Sequence, residues 1–228
     1  MGMKKNWFAN STTMAHRLLA VAAVAVVPAL APQYAGAQTP SFVCGELRGA
    51  GQFGPYDYRS IPADAKYLVE SAHFTPKVEG LVSGNSSSIA GDLDYTLRAI
   101  PNHPRALLAL TRLVTRQKTE RLAGARFPAE CYFDRAMRMA PDDPMPRVIY
   151  ASYLKGHQRM ADAKQQLAEA ERLRGEPASF DFDYNLGLLY LEVGEPNKAA
   201  VAAKRAYALG APFPALMKKL KAAGKWQE

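Results

Sequence analysis

Three segments of the chain repeat the same helical pattern, and this repetition constrains the fold more than any other feature of the sequence. Tyr132 to Pro144 reads YFDRAMRMAPDDP, an amphipathic run that ends at one proline and starts again after a second. Similar runs occupy residues 93–113 and 184–210. Proline cannot donate a hydrogen bond inside a helix, so each run is predicted to end in a turn. The pattern predicts an all-α chain of paired antiparallel helices.

Small side chains recur at one position of the predicted helices, where the two helices of a pair would cross. These residues are Ala136, Ala170, Gly187 and Ala206. Antiparallel helices approach closely only where the side chains leave room for the neighbouring backbone. A single pair leaves one apolar face uncovered, and stacking of the next pair covers that face. We therefore expect all four residues to be buried between helices.

The spacing resembles the tetratricopeptide repeat (TPR), a unit of about 34 residues with the pattern W-x2-L-G-x2-Y, then A-x3-F, then P. Leu186-Gly187-x-x-Tyr190 is similar to its first helix, and Ala129-x3-Phe133 with Ala136 and Pro141 is similar to its second. Three positions depart from the pattern, which favours Trp, Phe and Gly where this sequence has Asp183, Ala203 and Thr111. The resemblance implies a TPR-like right-handed α-solenoid, and a generic helical bundle is the alternative.

Alignment on these positions predicts about three and a half helix-turn-helix repeats between residues 89 and 211. A half unit covers residues 89–100, and later units begin near Pro104, Pro144 and Phe180, the third ending loosely at Arg174-Gly175-Glu176-Pro177. Residues 38–88 are predicted to be irregular because Gly and Pro punctuate them, with a short helix near 76–83. Residues 212–228 are predicted to form an amphipathic helix that caps the last repeat, and a membrane-surface helix is the alternative.

The first 37 residues have the three parts of a secretory signal peptide. Lys4, Lys5 and Arg17 form the positive n-region, and residues 18–31 form the apolar core. The cleavage site is Ala35-Gly36-Ala37. An uncleaved anchor is the alternative, but the apolar run is shorter than the roughly 20 residues of a spanning helix. We expect a periplasmic protein, cleaved after Ala37, with no stable membrane insertion thereafter.

Charge and cysteine content narrow the classes of partner and of site. Removal of three cationic residues would lower the formal charge from +8 to +5, which is too mild and too dispersed to predict nucleic-acid binding. Both cysteines, Cys44 and Cys131, follow the predicted cleavage site. An even pair in an exported chain predicts a disulfide, which would fasten the N-terminal segment to a later helix.

The sequence contains no nucleophile elbow, P-loop or HExxH motif. His73, His103 and His157 lie far apart, without the spacing of metal ligands. Asp92 and Asp94 flank Leu93 early in a predicted helix, where interaction with the positive helix N-terminus explains them better than acid–base chemistry. We expect no catalytic residue, metal or cofactor, and an enzyme or small-ligand binder that depends on His73 is the less favoured alternative.

A stack of TPR-like units would present a concave face lined by the first helix of each unit. This face is predicted to form a partner-binding groove from Arg105, Leu108, Arg112, Arg116, Ser152, Lys155, Tyr184, Asn185 and Leu188. A basic and aromatic groove of this kind would suit an acidic or C-terminal peptide. Asn185 matches one position of the carboxylate clamp of some TPR proteins, but Ala109 and Ile149 do not, so the clamp is incomplete.

The stretch GPYDYRS at residues 54–60 crowds Tyr56, Tyr58 and Arg59 together, as a contact surface or as internal packing. The repeat resemblance and the export signal together predict a periplasmic TPR-type protein-binding module, acting as an adaptor, scaffold or assembly factor. Its partner would be another exported or membrane-associated protein, bound through a peptide or helix. The alternative is an accessory subunit of a larger exported complex that uses its N-terminal segment for contact.

Overall fold

The computed structural model describes residues 44–49, 52–175 and 179–226 of the 228-residue chain. The predicted signal peptide, residues 1–37, lies outside the described residues, as does the Glu176-Pro177 end of the third predicted unit.

The described part of the chain is all-α, with ten helices and no β-strand. The helices are α1 (Ala63–His73), α2 (Pro76–Glu79), α3 (Ile89–Ala99), α4 (Pro104–Gln117), α5 (Ala129–Met139), α6 (Met145–Gly156), α7 (Met160–Arg172), α8 (Phe180–Glu192), α9 (Pro196–Ala208) and α10 (Ala215–Ala222). Among these helices, none is long and apolar enough to span a lipid bilayer.

Adjacent helices pack in pairs, as the repeated pattern predicts. Helix α4 packs against α5, α6 against α7, and α8 against α9. The first helices of these pairs also touch in series, α4 against α6 and α6 against α8. Helix α10 packs against both α8 and α9 and so covers the last pair.

The small residues lie where helices touch, which confirms that prediction. The side chains of Ala136, Ala170 and Ala206 are all fully buried. A Cβ atom added at Gly187 would lie 3.3 Å from the carbonyl oxygen of Ala199 and 2.8 Å from a Leu216 methyl group. Helix α8 therefore approaches the backbone of α9 more closely than a larger residue would permit.

Two turns with the sequence pattern Pro-x-x-Pro share one geometry. The residues that directly follow α3 and α5 have the same backbone conformation, Ile100 with φ −135° and ψ 80° and Ala140 with φ −134° and ψ 77°. Three residues further on, the amides of His103 and Asp143 donate to those residues' carbonyl oxygens at 3.1 Å. The His103 side chain also accepts from the Ala106 amide and so caps α4.

The described residues between 44 and 88 contain more helix than the sequence indicates. The helix predicted over 76–83 is only the four-residue α2, whereas α1 was not predicted at all. The reason is that only Ala65 and Val69 of α1 are buried, so its apolar residues do not mark one clear face. At the other end, α10 begins later than residue 212 and directs Leu216 and Leu220 into the core.

The N-terminal segment is fastened to α5 by a disulfide and by a buried arginine. Cys44 is joined to Cys131 across a sequence separation of 87 residues, which confirms the predicted pairing. One turn along α5, the Arg135 guanidinium donates to the carbonyl oxygens of Glu46 (2.6 Å) and Leu47 (3.0 Å). Arg135 is 1% exposed, and its burial lowers the pKa of the guanidinium.

Candidate docking groove

Three first helices of the pairs, α4, α6 and α8, line an open groove of about 330 Å³. Each helix contributes residues spaced three or four apart, which places them on one face. The lining residues are Pro104, Arg105, Leu108, Met145, Val148, Ile149, Ser152, Asn185, Leu188, Leu189 and Glu192. The surface is mostly aliphatic, and Leu108 remains 44% exposed within it.

Five of the nine predicted groove residues line this surface. They are Arg105, Leu108, Ser152, Asn185 and Leu188. They meet in space because α4, α6 and α8 lie side by side. The other four predicted residues, Arg112, Arg116, Lys155 and Tyr184, are not in the lining.

Arg112 and Arg116 lie further along α4, where they contact the end of α2. The Arg112 guanidinium donates to the Glu79 carbonyl oxygen, and that of Arg116 donates to the Leu81 carbonyl oxygen, both at 2.9 Å. Cations bind well at the C-terminal carbonyls of a helix, because those carbonyls carry partial negative charge. The two arginines therefore hold the α2 segment against α4.

Lys155 and Tyr184 also make intramolecular contacts. The Lys155 ammonium donates to the Glu192 carboxylate at 2.7 Å, at the rim of the groove. Tyr184 is buried, with its ring 5.4 Å from that of Phe213, in the chain leading to α10. The C-terminal cap thus covers a position that the repeat pattern assigned to the concave face.

Electrostatically, the groove and its rim are balanced. Arg105 pairs with Glu79, donating from Nε to the carboxylate at 2.7 Å, and this hydrogen bond lowers the pKa of Glu79. Glu192 pairs with Lys155 in the same way at the far rim. The lining is therefore apolar with paired charges, which differs from the basic and aromatic groove predicted from the sequence.

Six lining residues are not among the nine predicted from the sequence: Pro104, Met145, Val148, Ile149, Leu189 and Glu192. On α8 the lining follows Asn185, Leu188, Leu189 and Glu192, which is the i, i+3, i+4, i+7 spacing of one helix face. Extending the face from Asn185 by this rule would have found Leu189 and Glu192.

The Tyr56–Arg59 cluster lies against the chain itself. The centroid of the Tyr58 ring lies 4.6 Å from that of the His103 ring. The backbone amide of Tyr58 donates to the Asn102 side-chain oxygen at 2.8 Å. The Arg59 guanidinium bridges the carboxylates of Asp57 and Asp142. Of the two interpretations of this cluster, the contacts favour internal packing between the two Pro-x-x-Pro turns.

The two aspartates of α3 each hold a loop. The buried Asp92 carboxylate accepts from the amides of Asn85 (2.6 Å) and Ser86 (3.2 Å) and lies 3.0 Å from the His73 Nδ1. The Asp94 carboxylate accepts from the Arg126 amide in the loop before α5 (3.0 Å) and from the Tyr132 hydroxyl of α5 (2.5 Å). Within the described ranges, no group of three His, Cys, Asp or Glu residues could hold a metal ion.

Comparison with protein-family models, curated proteins and solved structures finds no match to this chain. The helix packing and the groove are therefore the features from which a function is inferred.

Proposed function

We propose that the chain is a TPR-like right-handed α-solenoid of about three and a half repeats. The serial packing of α4, α6 and α8, each followed by its partner helix, supports this architecture. So do the buried small residues at the crossings and the matching turns after α3 and α5.

We propose that it acts as a protein-binding module, as an adaptor, scaffold or assembly factor. In this proposal, a peptide or helix of the partner docks in the groove between α4, α6 and α8. The observation that carries the proposal is the aliphatic lining, which leaves Leu108 44% exposed in a concave surface. Concave apolar surfaces of this kind are where proteins bind ligands and peptide segments.

We propose the periplasm as its compartment and an exported or membrane-associated protein as its partner. The disulfide between Cys44 and Cys131 is compatible with an oxidising environment. The N-terminal signal features of the sequence support the same compartment.

A second candidate function is an accessory subunit that contacts its complex through the N-terminal segment. The exposed face of α1 favours this candidate, since Tyr67 is 70% and Leu68 59% exposed. Tyr56, Tyr58 and Arg59, which the sequence offered for this role, are occupied by contacts within the chain.

Site-specific photocrosslinking in cells separates the two functions. A photoreactive residue replaces Leu188 in the groove, Leu68 on α1, or Val201, which is 53% exposed on α9 outside the groove. The proposed function expects one discrete adduct from position 188 and none from 68 or 201. An adduct from 68 alone would favour the accessory subunit, and the absence of any adduct from 188 would refute groove docking.

A further inference from the structure

We infer that the segment bound in the groove is an aliphatic peptide without net charge, rather than an acidic or carboxylate-terminated one. This inference rests on the proposed function, because it specifies the occupant of the same groove. The inference follows from the intramolecular partners of the cationic side chains on the concave face.

The charged residues in the lining already have partners of opposite sign. Arg105 pairs with Glu79 at one end of the groove, and Glu192 pairs with Lys155 at the other. An acidic ligand would have to displace one of these carboxylates to gain a salt bridge, while it would repel the other. Charge complementarity therefore favours a ligand without net charge.

The two arginines that could attract an acidic ligand instead hydrogen-bond to backbone carbonyl oxygens of this chain. Arg112 and Arg116 donate to the carbonyl oxygens of Glu79 and Leu81, outside the groove lining. Their use by a ligand would cost the hydrogen bonds that hold α2. Arg112 and Arg116 therefore serve the packing of α2 on α4, and they do not extend the binding surface beyond Arg105.

The uncovered groove surface is aliphatic and comes from three separate helices. Leu108 of α4, Val148 and Ile149 of α6, and Leu188 and Leu189 of α8 form its floor. Leu108 is the most exposed of them, whereas Val148, Ile149 and Leu189 are themselves buried. The polar groups among them, Ser152 and Asn185, are uncharged. Aliphatic side chains of a docked segment would bury this floor, while the two uncharged groups could hydrogen-bond to its polar atoms.

The spacing of the helices sets the length of a suitable probe. Neighbouring packed helices lie about 10 Å apart, so three span roughly 20 Å, which a helical peptide of about 13 residues covers. A displayed library of random peptides of about that length is selected on the wild-type protein. The best binder is then synthesised with blocked termini, together with a twin in which its exposed polar residues are replaced by Glu.

Two substitutions at one exposed position separate apolar from electrostatic recognition. Leu108→Glu and Leu108→Lys each place a charge on the floor and should leave the core intact, since Leu108 is 44% exposed. An uncharged aliphatic ligand predicts that both variants weaken binding of the blocked peptide by about tenfold or more. An acidic ligand predicts opposite effects, with Leu108→Lys binding more tightly than wild type. The control Arg112→Gln lies outside the lining and should change affinity less than about twofold.

Salt dependence, measured by fluorescence anisotropy, gives a second readout. Raising NaCl from about 0.1 M to about 1 M shortens the screening length from about 10 Å to about 3 Å. The inference expects uncharged aliphatic sequences among the selected peptides, and affinity that does not fall with salt. Enrichment of acidic sequences that lose affinity with salt and with Arg112→Gln would overturn the inference and leave the proposed function standing. If no peptide binds, or if only a fatty-acid probe occupies the groove, the inference and the proposed function fail together.

Discussion

Removal of the disulfide should destabilise the protein chiefly through its unfolded state. The bond joins Cys44 to Cys131 across 87 residues, and the chain-entropy relation for a loop of this length gives about 4.6 kcal/mol at 25 °C. In the folded state, Arg135 still holds the carbonyl oxygens of Glu46 and Leu47 when the bond is absent. The N-terminal segment should therefore stay docked, and the loss should reflect the larger freedom of the unfolded chain.

The double variant Cys44→Ala/Cys131→Ala tests this reasoning by urea and thermal unfolding without reductant. The free energy of unfolding should fall by about 4.6 kcal/mol, and Tm should drop by roughly 9–18 °C for a chain of this size. The native circular dichroism spectrum should be unchanged, and reductant should destabilise the wild type but not the variant. A loss below about 1 kcal/mol, or a variant with fewer helical residues than the wild type, would refute the argument.

Three further predictions concern the helix crossing, a buried histidine and a loop anchor. Gly187→Leu should lower the free energy of unfolding in urea by about 3 kcal/mol, because even a Cβ atom at this position would lie only 2.8 Å from a Leu216 methyl group. The control Gly156→Leu should change it little, because no atom lies within 4 Å of a Cβ added at Gly156. Burial lowers the pKa of His103 to about 4 despite its Glu70 partner. The free energy of unfolding should therefore be fully retained above about pH 6.5 and should fall by about 2 kcal/mol between pH 7 and pH 5. The substitution His103→Asn should flatten this pH dependence in urea titrations. Asp92→Ala should cost about 3 kcal/mol and speed hydrogen exchange at residues 85–87, and unchanged exchange would contradict its anchoring role.

Helices α4 to α9 were predictable because their sequence signals are local. Prolines mark the turns after α3 and α5, and small residues such as Ala136 and Gly187 recur at helical spacing. Helix α1 follows Pro62, but only Ala65 and Val69 of it are buried, while large side chains such as Tyr67 and Leu68 face solvent. Its position depends on packing against α3, which no local pattern in the sequence reports.

The aliphatic part of the groove was partly predictable, whereas its charge was not. Helical spacing placed Leu108 and Leu188 on one face, and both residues line the groove. The partners of Arg105 and Arg112 come from Glu79 and its carbonyl oxygen, on a segment with no regular relation to α4 in sequence. A count of basic residues along a helix cannot reveal such pairing, so the sequence overestimated the positive charge offered to a ligand.

The bond between Cys44 and Cys131 also makes a covalent ring of the backbone from the N-terminal segment to α5. This ring contains the exposed residues 82–83 and 85–88 between α2 and α3, where a protease would find accessible peptide bonds. A single cut there opens the ring without releasing either piece. The nicked protein should migrate as one band on a gel until a reducing agent separates it into two.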